Sequence, residues 1–254
     1  MKLFDPNPSL RWLFCMTHPD DEISICAWIK RLTSQGNEVF VSWTHSNDVR
    51  EVEAQAAAHL LGVKPSHIRF FGAPDKVVVD EIPELRQPFY KMMREIRPDR
   101  VVCGAFEQGH LDHDATNFLV NTTFDGPVLE VPFYHAYLRR FQRLNRFANP
   151  AGQEVIGLSR DEQRFKKHVA RQYPSQRIWS NLVWYEIYQG VRLKSIELPK
   201  TERMRLQTHR DWFSPNLPEP LRSRVLRCPN WRRWESVMHS LSPAERQPVL
   251  ISSA

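Results

Sequence analysis

Between Leu10 and Pro132 the chain alternates short apolar runs of strand type with segments of helical spacing, and this alternation narrows the fold more than any other feature. Trp12-Leu13-Phe14-Cys15-Met16 is the first run, after which Ile23, Ala27 and Leu32 recur at helical spacing as far as Gly36. Strand character returns in Glu38–Trp43, Ile68–Phe71, Arg100–Cys103 and Val128–Val131. Between these runs the spacing predicts a helix over Glu51–Leu61 stopped by Gly62, one over Pro83–Ile96 halted by Pro98, and one over Asp112–Asn121. Strands joined through helices by short loops imply a parallel sheet covered on both faces. Right-handed crossovers then make this an α/β chain with a Rossmann-like, doubly wound, mostly parallel sheet of strand order 3-2-1-4-5. No Gly-x-Gly-x-x-Gly follows the first strand, so the dinucleotide-binding version of the fold lacks its fingerprint.

Beyond Phe133 the pattern changes. Arginine rises, and five of the eight tryptophans fall at Trp179, Trp184, Trp212, Trp231 and Trp234. A helix is expected over Asp161–Gln172, a late strand over Leu182–Tyr188, and an irregular tail with short helices from Asp211. The division expected is a catalytic core over 1–133 and a smaller lobe over 134–254 that packs on it and completes a cleft, the two being separable or one integrated domain. At 254 residues with 41% hydrophobic and 25% charged content, the chain has the make-up of a globular protein. Neither a signal-peptide core nor a stretch of membrane-span length is visible, so cytoplasmic residence is the expectation. Cys15, Cys26, Cys103 and Cys228 form no Cys-x-x-Cys pair and are expected as free thiols.

The polar chemistry concentrates at two strand ends. His18-Pro19-Asp20-Asp21-Glu22 follows the first strand, and Gln108-Gly109-His110-Leu111-Asp112-His113 follows the fourth. Alone, the first is an ordinary helix start, because Pro and first-turn acids suit a helix N-terminus. Strands 1 and 4 are neighbours in the expected order, however, and the crevice between them is the topological switch point where ligands bind. A catalytic zinc site takes three N/O ligands and keeps one position open. His18, Asp21 and one of His110 and His113 would make two imidazoles and a carboxylate. Asp20 is then left beside the metal-bound water as a general base. Ferrous iron suits the same donors.

These residues resemble the paired motifs of the PIG-L/LmbE-type zinc-dependent N-deacetylases. Arg50-x-x-Glu53, Phe71-Gly72-Ala73-Pro74-Asp75, Lys166 or Lys167, and Ser175-Gln176 are similar to weaker signatures of that family, in order. The resemblance implies a Rossmann-like fold and hydrolysis of an N-acetyl group on an N-acetylglucosamine-type sugar or glycoconjugate. It implies one Zn2+ per chain on His18, Asp21 and His113, and Asp20 as the base. His110 would stabilise the oxyanion, as imidazolium supported by Asp112. Arg50 and Asp75 would hold substrate hydroxyls, and Gln108 stands where some relatives carry a tyrosine that polarises the carbonyl.

Two rival readings remain at this stage. The Asp20-Asp21 pair with Asp112-His113-Asp114 fits a metal-dependent phosphoesterase, although carboxylates to bridge two metals are few. Net charge +6 and pI 9.3 fit a basic nucleic-acid or membrane-surface protein. Ten Lys/Arg between Arg139 and Arg177 strengthen it. Against it, Trp231 and Trp234 sit at i, i+3, the spacing of one buried helix face. The partner expected is therefore a small-molecule or glycoconjugate substrate, anionic if the basic lobe meets it, with no nucleic acid and at most peripheral membrane contact.

Overall fold

The computed structural model describes residues 1–137, 145–178, 198–243 and 245–246. Its centre is a seven-stranded sheet of order β3-β2-β1-β4-β5-β7-β6. β1 (Trp12–Met16), β2 (Val39–His45), β3 (Ile68–Ala73), β4 (Arg100–Gly104) and β5 (Val128–Val131) are parallel, in the expected order. β6 (Gln153–Gly157) and β7 (Thr201–Leu206) extend the same sheet at the β5 edge, with β7 antiparallel to both neighbours. Neither was expected from the sequence. Both carry charge at positions that the fold covers.

Strand alternation feeds two cores. Trp12, Phe14 and Met16 of β1 face a cluster closed by α1 (Cys26–Ser34), α2 (Asp48–Leu61) and α5 (Arg160–Ala170). Leu13 and Cys15 face the other side, closed by α3 (Ile82–Ile96), α4 (Leu111–Thr123) and α7 (Pro229–Ser240). A short α6 (Leu221–Val225) precedes α7. Trp231 and Trp234 are buried in this second core, with Trp234 Nε1 donating to the Trp212 carbonyl at 2.8 Å, so the basic-aromatic tail presents no stacking platform through these two rings. All four cysteines are free. Trp179, Trp184 and the strand expected over Leu182–Tyr188 lie outside the described residues. No helix among the described residues is long and apolar enough to cross a membrane.

Among the described residues, the buried charges Lys166, Glu202 and Arg205 of the C-terminal half are paired across long sequence distances. Glu202 of β7 accepts from the Ala27 and Trp28 backbone N–H groups at the start of α1, and from Lys166 Nζ at 2.9 Å. A carboxylate there complements the helix dipole and satisfies donors that have no intrahelical partner. Arg205 reaches Glu130 of β5 at 2.6 Å and Glu107 at 3.0 Å.

Candidate metal centre and catalytic cleft

The two polar clusters meet at the carboxyl ends of β1 and β4. His18 Nδ1 lies 3.1 Å from His113 Nε2, Asp21 Oδ1 lies 3.5 Å from His113 Nε2, and Asp21 Oδ2 lies 3.8 Å from His18 Nδ1. Tetrahedral zinc with bonds of ~2.0–2.1 Å sets its ligand atoms roughly 3.3 Å apart. The spacing of these three donors therefore fits a zinc-sized ion. Their types fit as well, being two imidazole nitrogens and one carboxylate oxygen.

The surroundings orient each donor. Asp21 Oδ2 accepts the backbone N–H groups of Thr17 at 3.0 Å and His18 at 2.8 Å, which turns Oδ1 towards His113. His18 Nε2 lies 3.3 Å from Asp75 Oδ1 and 3.4 Å from Asp112 Oδ2, so Nε2 keeps its proton and Nδ1 faces the other donors. Asp112 is itself fixed by the Lys76 backbone N–H at 2.7 Å. Burial opposes charge on His18, yet Asp112, Asp75 and Asp21 push its pKa up to about 10. The field at this point calls for a cation, which a proton or a metal ion satisfies. Burial also works against the Asp21 charge, but His113 and His18 hold that carboxyl well below the ordinary range.

Asp20 stands beside the three donors with φ 121°, a conformation that a non-glycine residue rarely adopts. Arg50 Nη2 holds it from one side, donating to Asp20 Oδ1 at 2.9 Å and to the Pro19 carbonyl. Glu22 holds it from below: its Oε2 accepts the Asp20 N–H and Trp43 Nε1, both at 3.2 Å, and its Oε1 accepts the Tyr173 hydroxyl. Burial and the Asp21 charge push the Asp20 pKa up to about 8, against Arg50 and His18. Helix formation is delayed accordingly. Asp21–Ser24 is a single tight turn, and α1 begins only at Cys26.

The second junction is a regular helix start. His110 caps α4, its Nδ1 accepting the Asp112 N–H at 3.2 Å, which leaves Nε2 as the protonated nitrogen. Burial and then His113 push its pKa down to about 4, with Asp112 opposing. Burial and the neighbouring His113 thus favour the neutral form of His110, with Nε2–H available as a donor. Gln108 is fully buried; its Oε1 accepts the Asn216 N–H at 3.0 Å, while its Nε2 has no hydrogen-bond partner among the described residues.

Arg50 and Asp75 lie on the β2–β3 side. Arg50 lines a cavity of ≈ 590 Å³ with Asn47, Asp48, Ser175 and Gln176. Glu53, one turn further along α2, accepts the Ser175 N–H at 2.9 Å and its hydroxyl at 2.6 Å, which fixes that wall. Asp75 is half-exposed and meets His18 through Oδ1.

Phe133 and Tyr134 carry no motif, and sequence reasoning missed them. Both pack on His113, with ring centroids 4.9 and 5.3 Å away. Their loop is tied to the second junction by Ala136 N–H donating to the Glu107 carbonyl at 2.9 Å, and by the Tyr137 hydroxyl donating to Asp114 at 2.7 Å. Gly109 permits the approach, since a Cβ there would lie 2.0 Å from the Tyr134 carbonyl oxygen. The only signal was position: the loop follows the strand next to β4.

Comparison with known proteins bears on the fold and the family. Residues 13–124 match the PIG-L family, described as GlcNAc-PI de-N-acetylase. No curated protein sequence matches the chain. Among solved structures, a deacetylase of teicoplanin biosynthesis is similar at TM-score 0.59 and 17% identity, covering 77% of this chain and 97% of that one. The zinc-inhibited form of the teicoplanin deacetylase Orf2 aligns at 0.58 and 16%, covering 77% and 97%. The N,N'-diacetylchitobiose deacetylase of Pyrococcus horikoshii aligns at 0.56 and 19%, covering 82% and 87%. Residues 13–124 of this chain thus match the PIG-L family model, and the chain shares the fold of these solved deacetylases.

Proposed function

We propose that this chain is a zinc-dependent hydrolase that removes the N-acetyl group from an N-acetylglucosamine-type sugar or glycoconjugate. The observation that carries the reading is the trio His18, Asp21 and His113, spaced as zinc ligands, with the strained Asp20 beside it. When bound, a zinc ion supplies a water of pKa lowered towards ~7 and a Lewis acid for the amide oxygen.

Every other part belongs to the chain. Asp20, held by Arg50, takes the proton from the attacking water and passes it to the departing amine. His110 donates Nε2–H to the oxygen that gains charge, and a neutral imidazole can serve in this role. Asp112 acts through His18 and His110, which it orients. Asp75, half-exposed at the rim, offers its second carboxylate oxygen to a sugar hydroxyl. Arg50 is largely committed to Asp20, so positioning the base comes before any hydroxyl contact.

The test is metal analysis coupled to acetate release from a panel of N-acetylglucosamine conjugates. One zinc per chain and stoichiometric acetate are expected. Two metals per chain with phosphate-ester cleavage and no acetate would replace this reading with the phosphoesterase. Iron in place of zinc would change the metal and leave the donor set standing.

A further inference from the structure

An apolar cavity of ≈ 200 Å³ opens directly beside the catalytic carboxylates, with Asp20 and Asp21 at its rim. Its walls are Ile23, Phe133, Tyr134, Ile178, Leu198 and prolines, with Ser24, Asn145 and Lys166 also lining it but donating to the protein itself: Ser24 Oγ to the Asp21 carbonyl, Asn145 Nδ2 to the Thr201 carbonyl and Lys166 Nζ to Glu202. It lies on the β5–β7 side of the sheet, because Phe133 and Tyr134 follow β5 and Leu198 and Pro199 precede β7. Arg50 and Asp75, by contrast, follow β2 and β3 on the opposite side. The carboxylate that separates the two sides is Asp20, which touches Arg50 and also borders the apolar cavity.

Amide geometry decides what fills this cavity. A secondary amide is planar and trans, so its acyl substituent and its amine substituent leave in opposite directions. With the carbonyl carbon at the donor trio, one substituent must run towards Arg50 and Asp75 and the other into the apolar cavity. A sugar carries hydroxyls and demands polar partners, whereas burial without them is costly. The sugar therefore takes the Arg50 side and the acyl group takes the apolar side. An acetyl methyl occupies little of that space: at ~30 Å³ for a group the size of a water, the cavity holds roughly six or seven such groups.

We infer that the cavity walled by Ile23, Phe133, Tyr134 and Leu198 is an acyl-chain subsite, and that the chain hydrolyses N-acyl amino sugars with acyl groups of about six carbons in preference to acetyl. The inference rests on the amide-hydrolase reading above and widens its leaving acid from acetate to longer acids. Water attacks the amide carbon, the C–N bond breaks, the amine takes the proton carried by Asp20, and the carboxylic acid is left in the cavity.

The experiment measures kcat/KM for N-acetyl-, N-butanoyl-, N-hexanoyl- and N-decanoyl-glucosamine with the zinc-loaded protein, and the binding of acetate and hexanoate by calorimetry. About a fourfold rise per added methylene is expected up to hexanoyl, from the transfer free energy of a buried methylene, with no further gain at decanoyl. Hexanoate is expected to bind more tightly than acetate. Leu198→Trp and, separately, Ile178→Trp should lower the hexanoyl-to-acetyl ratio towards one. A protein that releases acetate and shows no gain with chain length overturns the acyl subsite and leaves the deacetylase reading intact. A protein that hydrolyses none of the amides yet binds hexanoate over acetate, a preference lost in Leu198→Trp, overturns the catalytic reading and keeps the subsite. Equal binding of the two acids with no hydrolysis overturns both.

Discussion

The two strand-to-helix junctions face each other across one crevice and are built in opposite ways. After β4, His110 caps α4 in the ordinary manner, and the helix runs from Leu111 without interruption. After β1, Asp20 takes a φ of 121° and the chain makes a separate turn before α1 begins. The second junction has its own positive-φ residue, Gln108 at 53°, ahead of the cap and apart from the donors, and in the proposed reading it supplies His113 and His110. In the first junction the strain falls on the residue proposed as base, between two proposed donors, His18 and Asp21. Packing His18, Asp20 and Asp21 so closely around one point costs backbone strain, of order 1–3 kcal/mol for such a conformation, which Glu22 and Arg50 must offset. Chemistry at this site is thus concentrated where the backbone is least relaxed.

The largest effects come from breaking the functional side of each junction. His113→Ala should abolish metal binding and with it hydrolysis, seen as loss of zinc by atomic emission. Asp20→Asn should keep the metal and lose at least ~10³ in kcat, about 4 kcal/mol of barrier. Near-normal acetate release by Asp20→Asn would remove the base from the strained junction. Asp112→Asn is expected to be intermediate, lowering zinc affinity ~10–100-fold, because it orients His18 without contacting the ion.

Strain itself can be measured next. Glu22→Ala strips the partner from the Tyr173 hydroxyl, Trp43 Nε1 and the Asp20 N–H, all at a buried site, and should cost about 3 kcal/mol in urea unfolding. Asp20→Gly should be about 1 kcal/mol more stable than Asp20→Ala, since both lose the Arg50 contact and only glycine accepts the positive φ without strain. The equivalent pair at the second junction, His110→Gly and His110→Ala, is expected to lose stability along with the cap. If Asp20→Gly were no more stable than Asp20→Ala, the contrast between the junctions would not be one of strain.

Legibility in the sequence followed the range of the interactions. The parallel order 3-2-1-4-5 was readable because each of β1 to β5 is a local apolar run between helical segments. So was the meeting of the two polar clusters, which follows from β1 and β4 being neighbours; strand order left His110 and His113 open, and only the family resemblance singled out His113. β6 and β7 were missed because Glu202 and Arg205 look like surface residues. Their partners, Lys166, Glu130 and Glu107, lie 36, 75 and 98 positions away. Glu22 had no readable role for the same reason, since Tyr173 is 151 residues distant. At Gln108 the Oε1 is taken by the Asn216 backbone N–H, 108 positions away, which no spacing rule reveals. Phe133 and Tyr134 show that a loop without a motif can still wall the cleft.

The smallest effect separates the strained junction from the helix that follows it. Arg31 on α1 donates to both oxygens of Glu162 on α5, at 2.6 and 3.0 Å, and fastens α1 well away from Asp20. The pair is partly exposed, so about 0.5 kcal/mol is expected from it despite the favourable geometry. Arg31, with the Ser159 backbone N–H, pulls the Glu162 pKa down to about 2 from 4.5. A lowered carboxyl pKa contributes stability that is complete above the unfolded value and is lost as pH falls from about 4.5 to about 2. Glu162→Gln keeps the capping interaction with Ser159, because glutamine serves at that position, and removes only the charge. Its cost in thermal unfolding should be present at pH 7 and vanish near pH 2, with zinc content and acetate release at pH 7 unchanged. A loss of activity in Glu162→Gln would mean that the position of α1 transmits to Asp20, and that the strain at the first junction is not contained by Glu22 and Arg50 alone.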